Sequence, residues 1–211
     1  MDTYQVTDTK VFVHHLALCE SDNIGVGTRI WAFAHVMKGA RIGSDCNIGD
    51  HSFIETGAVI GDRVTVKNGV LIWNGITIED DVFIGPGAVF INDRYPRSPR
   101  MAAATEVTYR YSAESRWLAR TRVERGASIG AAAVLGPGLT IGTFAVVGAG
   151  AVVTNSVPAH RLVLGVPARE AGWVCVCGRP VATLPANSQH CPHGLSGNEK
   201  PEPTGCTRDS A

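Results

Sequence analysis

A hexapeptide repeat constrains this chain more than any other feature of its sequence. An apolar residue stands first in each of twelve consecutive hexapeptides that run in one phase from Ile24 to Tyr95, and a small or β-branched residue stands fifth from Thr28 to Ala88. Six residues turn an α-helix by about 600°, which would spread the first positions around the cylinder, so the period excludes an amphipathic helix. In an extended chain both positions face one side, and the glycines, aspartates and asparagines between them favour a bend. Each hexapeptide is therefore predicted to form a short strand followed by a corner.

Such short strands cannot bury their apolar side alone, so successive hexapeptides must coil around a shared interior. Three hexapeptides make one triangular coil, and coils stack at roughly 4.8 Å, the spacing of hydrogen-bonded strands. After an interruption the register returns, with first positions at Val123, Ile129, Leu135, Ile141, Val147 and Val153. The two blocks together predict an all-β chain, folded as a parallel β-helix of about six coils with a long inserted loop and a short C-terminal tail.

The register also divides the chain into segments. We expect an N-terminal cap (1–23), coils one to four (24–95), an inserted loop (96–122), coils five and six (123–158), a closing segment (159–174), a tail considered below as a zinc knuckle (175–194) and a disordered end (195–211). Long insertions in repeat proteins lie on one face and are often functional. The inserted loop is therefore predicted to be ordered and anchored by Trp117 and Leu118, the alternative being a disordered spacer.

Composition narrows the class of protein. The 211 residues include 19 basic and 19 acidic side chains with no basic stripe, so no nucleic-acid partner is predicted. No apolar run approaches the roughly 20 residues needed to span a membrane. The N-terminal residues lack a charged stretch followed by an apolar one, as a secretory signal would have, so we expect a cytoplasmic protein.

One corner of the predicted solenoid is unusually polar. Residues one coil apart stack vertically, and the inserted loop leaves from the hexapeptide that begins at Phe90. The column at this corner contains Lys38, Thr56, Asn74 and Asn92, with Glu55, Trp73 and Asp93 beside it. We interpret this corner as the functional edge; the alternative is a solvated corner of ordinary turn residues.

An apolar ladder runs along one outer face of the predicted solenoid. The outward sixth positions of one column are His35, Phe53, Leu71, Val89, Val134 and Val152. An apolar exterior indicates a partner subunit, and a threefold prism closes as a homotrimer with clefts between subunits as sites. The alternative is an apolar but solvated face.

Three stretches of the chain resemble a known family. They are NIGVGTRIWAFAHVMKGARIG, VKNGVLIWNGITIEDDVFIGPGAVFINDRYPRS and GVPAREAGWV, and they are similar to the hexapeptide-repeat nucleotide-sugar 3-N-acetyltransferases. The resemblance implies a left-handed β-helix and transfer of acetyl from acetyl-CoA to the 3-amino group of a nucleotide-linked sugar. The FIND…PRS sequence resembles enzymes for dTDP-linked sugars more than those for UDP-linked ones.

The resemblance also implies site residues. It puts Asn92 and Asp93 next to the sugar amine, with Asp93 orienting the amine or relaying its proton. Related enzymes often have Asp where this chain has Asn74, and an asparagine cannot take a proton. The remaining substrate-binding candidates are Trp73, Glu55 as an alternative carboxylate, His35, which either contacts the nucleotide or packs, and Arg97.

The expected coenzyme site lies in a groove between neighbouring solenoids. By resemblance the pantetheine arm lies against small residues, and the closing segment supplies a basic contact for a CoA phosphate. The candidates are Gly130, Ala131, Gly148, Ala149, Val166, Pro167 and Arg169. The small residues are also what tight coils require, so their size alone does not indicate CoA.

The tail carries a candidate structural zinc site. Cys175, Cys177, Cys191 and His193 supply three thiols and an imidazole, enough for a tetrahedral ion. The second half is Cys-x-His where a zinc ribbon has Cys-x-x-Cys, so a degenerate knuckle and chance spacing stay open.

Three other functions fit the repeat. A γ-class carbonic anhydrase needs three histidines converging on a metal, whereas His35 and His51 fall on different columns. A hexapeptide acyltransferase for another small acceptor and a noncatalytic binding or scaffold protein are the remaining alternatives.

Overall fold

The chain forms a solenoid of parallel strands, described here for residues 10–100 and 105–183 of a computed structural model. The strands are β1 (Phe12–Val13), β2 (Leu18–Cys19), β3 (Arg29–Ile30), β4 (His35–Val36), β5 (Arg41–Ile42), β6 (Asn47–Ile48), β7 (Phe53–Ile54), β8 (Val59–Ile60), β9 (Thr65–Val66), β10 (Leu71–Ile72), β11 (Ile76–Ile78), β12 (Phe83–Ile84), β13 (Val89–Phe90), β14 (Thr121–Val123), β15 (Ser128–Ile129), β16 (Val134–Leu135), β17 (Thr140–Ile141), β18 (Val146–Val147), β19 (Val152–Val153), β20 (Arg161–Leu164), β21 (Arg169–Val174) and β22 (Pro180–Val181). Nearly every strand is two residues long because the other residues of each hexapeptide form the corner.

The strands stack into three parallel sheets. Sheet A has the order β1-β3-β6-β9-β12-β15-β18-β20, sheet B the order β2-β4-β7-β10-β13-β16-β19, and sheet C the order β5-β8-β11-β14-β17. Two corners matter for the site. The A–B corner comprises the segments that lead from sheet A to sheet B, and the B–C corner those that lead from sheet B to sheet C.

The core follows the repeat. First-position residues such as Ile48, Ile72 and Ile84 are fully buried, and fifth-position residues such as Ala58 and Ala88 fill the space between them. Burying an isoleucine contributes roughly 1.5–3 kcal/mol, so each coil adds its own share of the stability. The predicted outer column is confirmed by the strand register. His35 lies beside Phe53 in the ladder, and Leu71 lies between Phe53 and Val89.

The solenoid is longer than the six coils that the register predicts. Sheet A has eight parallel levels, because β1 and β20 add a turn at each end. Within the predicted N-terminal cap, β1 and β2 pair in parallel with β3 and β4. The repeat does not identify these end strands because their apolar residues are irregularly spaced. In β1, moreover, Phe12 and Val13 are 40% and 42% exposed. After β20 the chain reverses, and β21 and β22 add antiparallel strands.

The inserted loop interrupts the solenoid between sheets B and C. It contains α1 (Thr105–Tyr111) and a 3₁₀ turn (Glu114–Arg116), and the chain then rejoins sheet C at β14. β14 pairs in parallel with β11 over three residues. Neither helix is long and apolar enough to cross a bilayer, and the rest of the described chain has no such helix.

Candidate functional site

A line of hydrogen-bonded polar side chains runs along the B–C corner. The Asn92 amide Nδ2 donates to the backbone oxygen of Asn74 over 3.1 Å, and the Asn74 backbone N–H donates to Glu55 Oε2 over 2.7 Å. Each contact joins neighbouring coils, as the column prediction requires. Glu55 is therefore half-buried and bonded to the corner, not a freely solvated carboxylate.

Asp93 lies at the root of the inserted loop and is held at both carboxylate oxygens. Oδ1 accepts the Tyr95 backbone N–H over 2.8 Å, and Oδ2 accepts the hydroxyl of Tyr111, the last residue of α1. The same hydroxyl oxygen accepts the Arg97 backbone N–H over 3.1 Å. The ring of Tyr111 packs at 5.8 Å from that of Trp117. The carboxylate thus has a fixed orientation before any substrate binds.

The returning half of the loop closes back onto the same corner. Asn74 Nδ2 donates to Glu114 Oε1 over 2.7 Å, and the Ala119 N–H donates to the Asn92 oxygen over 2.8 Å. Leu118 forms an isolated bridge with Asp93. Its side chain rests on a glycine at positive φ, since a Cβ on Gly75 would lie 2.9 Å from Leu118 Cδ1.

A cavity of about 260 Å³ opens beside Asp93 between the two halves of the loop. The residues that line it include Asp93, Arg94, Arg110, Arg116 and Trp117. A pocket therefore exists at the loop root, next to the predicted catalytic carboxylate.

The other predicted substrate residues lie around this corner in different environments. Trp73 is half-buried against the core and 5.5 Å from the Phe53 ring. His35 lies on the outer face of sheet B, where Nε2 is 3.1 Å from Glu20 Oε2 and the ring meets the edge of Phe53 at 5.3 Å. Arg97 is exposed, and its Nη1 donates to the Pro96 oxygen over 2.9 Å.

The predicted coenzyme residues gather at the A–B corner. Gly130-Ala131, Gly148-Ala149 and Val166-Pro167 belong to successive coils there; Gly148 N–H donates to Val163 and Gly130 N–H to Val147. A Cβ on Gly130 would lie 2.4 Å from the Ala149 nitrogen, so coil stacking itself requires that glycine. Arg169 begins β21, is exposed and borders a cavity of about 270 Å³ at the C-terminal end.

Only half of the predicted zinc ligand set can be placed. The sulfurs of Cys175 and Cys177 are 2.6 Å apart, and Gly178 turns the chain at positive φ. Cys191 and His193 lie outside the described residues, among which no group of three metal-ligating side chains occurs. The zinc site stays a prediction.

A bidentate charge pair lies away from the site, at the corner between sheets C and A. Arg63 donates to both carboxylate oxygens of Asp81, over 2.6 and 3.2 Å. These bonds hold the pKa of Asp81 below its usual value. In the core, burial raises the pKa of the Cys46 thiol, which the sequence position already predicts to face inward.

Sequence reasoning missed two loop residues at the site. Tyr111 and Glu114 reach Asp93 and Asn74 only because of how α1 and the 3₁₀ turn fold back. Neither follows the hexapeptide period, and no spacing in the sequence indicates their contacts.

Comparison with known proteins agrees with this architecture. The family model described as "hexapeptide repeat of succinyl-transferase" matches residues 39–73 and 120–155. The acetyltransferase domain of PglB from Neisseria gonorrhoeae FA1090, solved in complex with acetyl coenzyme A, superposes with a TM-score of 0.50 at 22% identity. That match covers 78% of this chain and 58% of the PglB chain, and it supports the fold alone.

A curated relative identifies the family. The dTDP-3-amino-3,6-dideoxy-α-D-galactopyranose 3-N-acetyltransferase of Aneurinibacillus thermoaerophilus is 49% identical over 166 residues, which are 79% of this chain and 80% of that enzyme. The aligned length exceeds the repeat blocks, so the similarity extends beyond the hexapeptide pattern. The chain belongs to the hexapeptide-repeat family of nucleotide-sugar 3-N-acetyltransferases.

Proposed function

We propose that the protein transfers the acetyl group of acetyl-CoA to the 3-amino group of a nucleotide-linked amino sugar, with a dTDP-linked 3-amino-3,6-dideoxyhexose as the first candidate. The 49% identity to an enzyme named for this reaction carries the proposal. The polar B–C corner and the cavity at the loop root provide groups that such an acceptor needs. The cytoplasmic location stays a prediction from the sequence.

Asp93 is proposed to orient the amine and accept its proton. A carboxylate has about four acceptor positions, and the contacts to Tyr95 and Tyr111 use two of them, so each oxygen can still accept an amine N–H. Asn92 and Asn74 hydrogen-bond the sugar beside it. Asn74 itself cannot act as a base, and Glu55 serves to hold the Asn74 backbone. Trp73, His35 and Arg97 remain predicted substrate contacts.

Acetyl transfer to an amine depends more on the position of the amine relative to the thioester than on a strong base. The neutral amine must lie about 3–3.5 Å from the thioester carbonyl, where its nitrogen forms the new bond to carbon. The resulting oxyanion needs hydrogen-bond donors, and collapse breaks the carbon–sulfur bond to release the CoA thiolate. The amine proton leaves to Asp93, and the thiolate or water is the final acceptor.

The two predicted half-sites lie on opposite edges of sheet B. Asn92 and Asp93 belong to the B–C corner, whereas the small residues assigned to the pantetheine arm belong to the A–B corner. The apolar face of sheet B lies between them, with Leu18 and Val89 54% and 40% exposed. We propose that copies pack as a homotrimer, so that the B–C corner of one chain meets the A–B corner of the next and completes the site.

The acceptor assignment is tested by thiol release from acetyl-CoA against a panel of dTDP- and UDP-linked amino sugars. We expect turnover with a dTDP-linked 3-amino sugar; no turnover with any member would reject the function. Asp93→Asn should lower kcat about a hundredfold or more without changing the thermal midpoint. The exposed Asp22→Asn is the matched control and should retain wild-type turnover.

Shared sites are tested with hybrid trimers. Ala149 is exposed at the A–B corner, so Ala149→Trp should block the pantetheine groove without disturbing the core. Co-expression of this variant with Asp93→Asn should restore activity to about a quarter of wild type, because a quarter of the interfaces in random trimers pair two unmutated half-sites. If each chain carries its own complete site, the hybrids will stay as inactive as the parents.

A further inference from the structure

The inserted loop is strongly basic in an otherwise neutral chain. Residues 94–120 contain six arginines, two glutamates and neither lysine nor aspartate, whereas the whole chain has equal numbers of basic and acidic residues. Three of the arginines, Arg94, Arg110 and Arg116, line the cavity beside Asp93. The basic charge is therefore concentrated at the predicted acceptor site.

The cavity arginines have no acidic partner among the described residues. Arg94 Nη2 donates to the Pro137 oxygen over 3.3 Å, and Arg110 Nη1 donates to the Tyr95 oxygen. Arg116 stacks 4.0 Å over the Tyr109 ring and donates to its oxygen over 3.3 Å. By contrast, Arg63 and Arg122, elsewhere on the solenoid, pair with carboxylates. Backbone, hydroxyl and ring contacts fix the direction of the three guanidinium groups, and among the described residues none of the three forms an ion pair.

Each guanidinium retains donors for a ligand. Arginine carries five N–H donors, and the contacts above use one or two of them. Its planar fork matches the spacing of phosphate oxygens, which lysine does not. Three such groups around one cavity favour an anion with several oxygens over a single carboxylate.

The position of Asp93 adds a second requirement. It lines the same cavity, so a ligand needs a cationic or amine-bearing end next to its anionic end. In a nucleotide-linked 3-amino sugar the diphosphate is attached at carbon 1 and the amine at carbon 3 of one ring. The ligand thus carries both groups on one sugar ring, and the arginines and Asp93 line one cavity.

We propose that Arg94, Arg110 and Arg116 bind the diphosphate of the nucleotide-linked sugar and thereby place its amine against Asp93. This assignment rests on the proposed function. CoA also carries a diphosphate, so the shared ligand chemistry is a nucleoside diphosphate, and the test must separate the two sources.

The test is calorimetric binding to the full chain, with dTDP as the probe for the diphosphate of the sugar nucleotide and CoA as the probe for the coenzyme diphosphate. Arg94→Gln and Arg116→Gln should each weaken dTDP binding about ten- to hundredfold and leave CoA binding unchanged. Arg100→Gln removes the same charge from the same loop outside the cavity and should change dTDP binding less than about twofold. Arg116→Lys should recover only part of the affinity, because lysine keeps the charge without the fork.

Two results would overturn the assignment. One is dTDP binding by both glutamine variants at the wild-type affinity, with circular dichroism showing that they are folded. The other is loss of CoA binding while dTDP binding is retained, which would assign the arginines to the coenzyme. Binding is measured separately from turnover. If the wild-type protein turns over an amino sugar but the arginine variants bind dTDP as tightly as wild type, only this inference is rejected. Failure of the whole amino-sugar panel rejects the proposed function.

Discussion

The contact between Gly75 and Leu118 offers a direct test of whether loop anchoring controls the site. Gly75 and Gly69 both have positive φ, at 81° and 70°, so alanine costs roughly 1–2 kcal/mol of backbone strain at either position. A Cβ at Gly69 meets nothing within 4 Å, whereas at Gly75 it would lie 2.9, 3.0 and 3.2 Å from three atoms of the Leu118 side chain. Leu118 must then move, or the solenoid must yield at a further cost of about 1–3 kcal/mol.

The two alanine variants should therefore differ in activity. For a chain of this length 1 kcal/mol is about 2–4 °C, so Gly69→Ala should lower the thermal midpoint by roughly 2–8 °C and keep its kcat. In Gly75→Ala the displaced Leu118 disturbs its bridge with Asp93, and a misplacement of about 1 Å can cost a hundredfold in rate. We expect kcat/KM of Gly75→Ala at least about tenfold below that of Gly69→Ala, measured by thiol release at one temperature. Equal values would show that Leu118 does not set the position of Asp93.

Three further predictions follow from described contacts. Tyr111→Phe should lower kcat about tenfold with little change in KM, because it removes a hydrogen-bond donor from the Asp93 carboxylate. Tyr109→Phe, on the same helix, is the control and should keep the wild-type kcat. Equal kcat values for the two variants would make Tyr111 a packing residue only. The lowered pKa of Asp81 contributes stability above its unfolded pKa that is lost as pH falls, so the thermal midpoint of wild type should drop below about pH 4 more steeply than that of Asp81→Asn; parallel curves would contradict the pairing with Arg63. The tail should hold about one structural zinc per chain purified without chelator, and metal analysis showing none would reject the site.

The repeating part of the fold could be predicted from the sequence because each hexapeptide carries the same signal. Ile48, Ile72 and Ile84 are buried for one reason, repeated at each coil. The end turns at β1 and β20 could not be predicted, since they have only one neighbouring coil and tolerate exposed, irregular side chains.

Only the part of the candidate site that lies on the solenoid could be predicted from the sequence. Asn74, Asn92 and Asp93 stand at corner positions that the register specifies. The contacts of Tyr111 and Glu114 depend on the path of a segment without a repeat, which is fixed by long-range hydrogen bonds that no local pattern encodes. Glu55 as an alternative carboxylate stays a prediction, and its bond to the Asn74 backbone N–H is a contact that the corner column does not specify.

The parallel pairing of β11 with β14 lets the inserted loop change in evolution independently of the solenoid. Ile78 pairs with Ile60 on one side and Val123 on the other, although the second partner is much further along the chain. Because the ladder resumes in register whatever lies between, a loop of another length or composition can be exchanged without re-registering a single coil. If the loop binds the acceptor as proposed, acceptor preference can diverge, in nature or in a designed chimera, while the A–B corner and the core remain as they are.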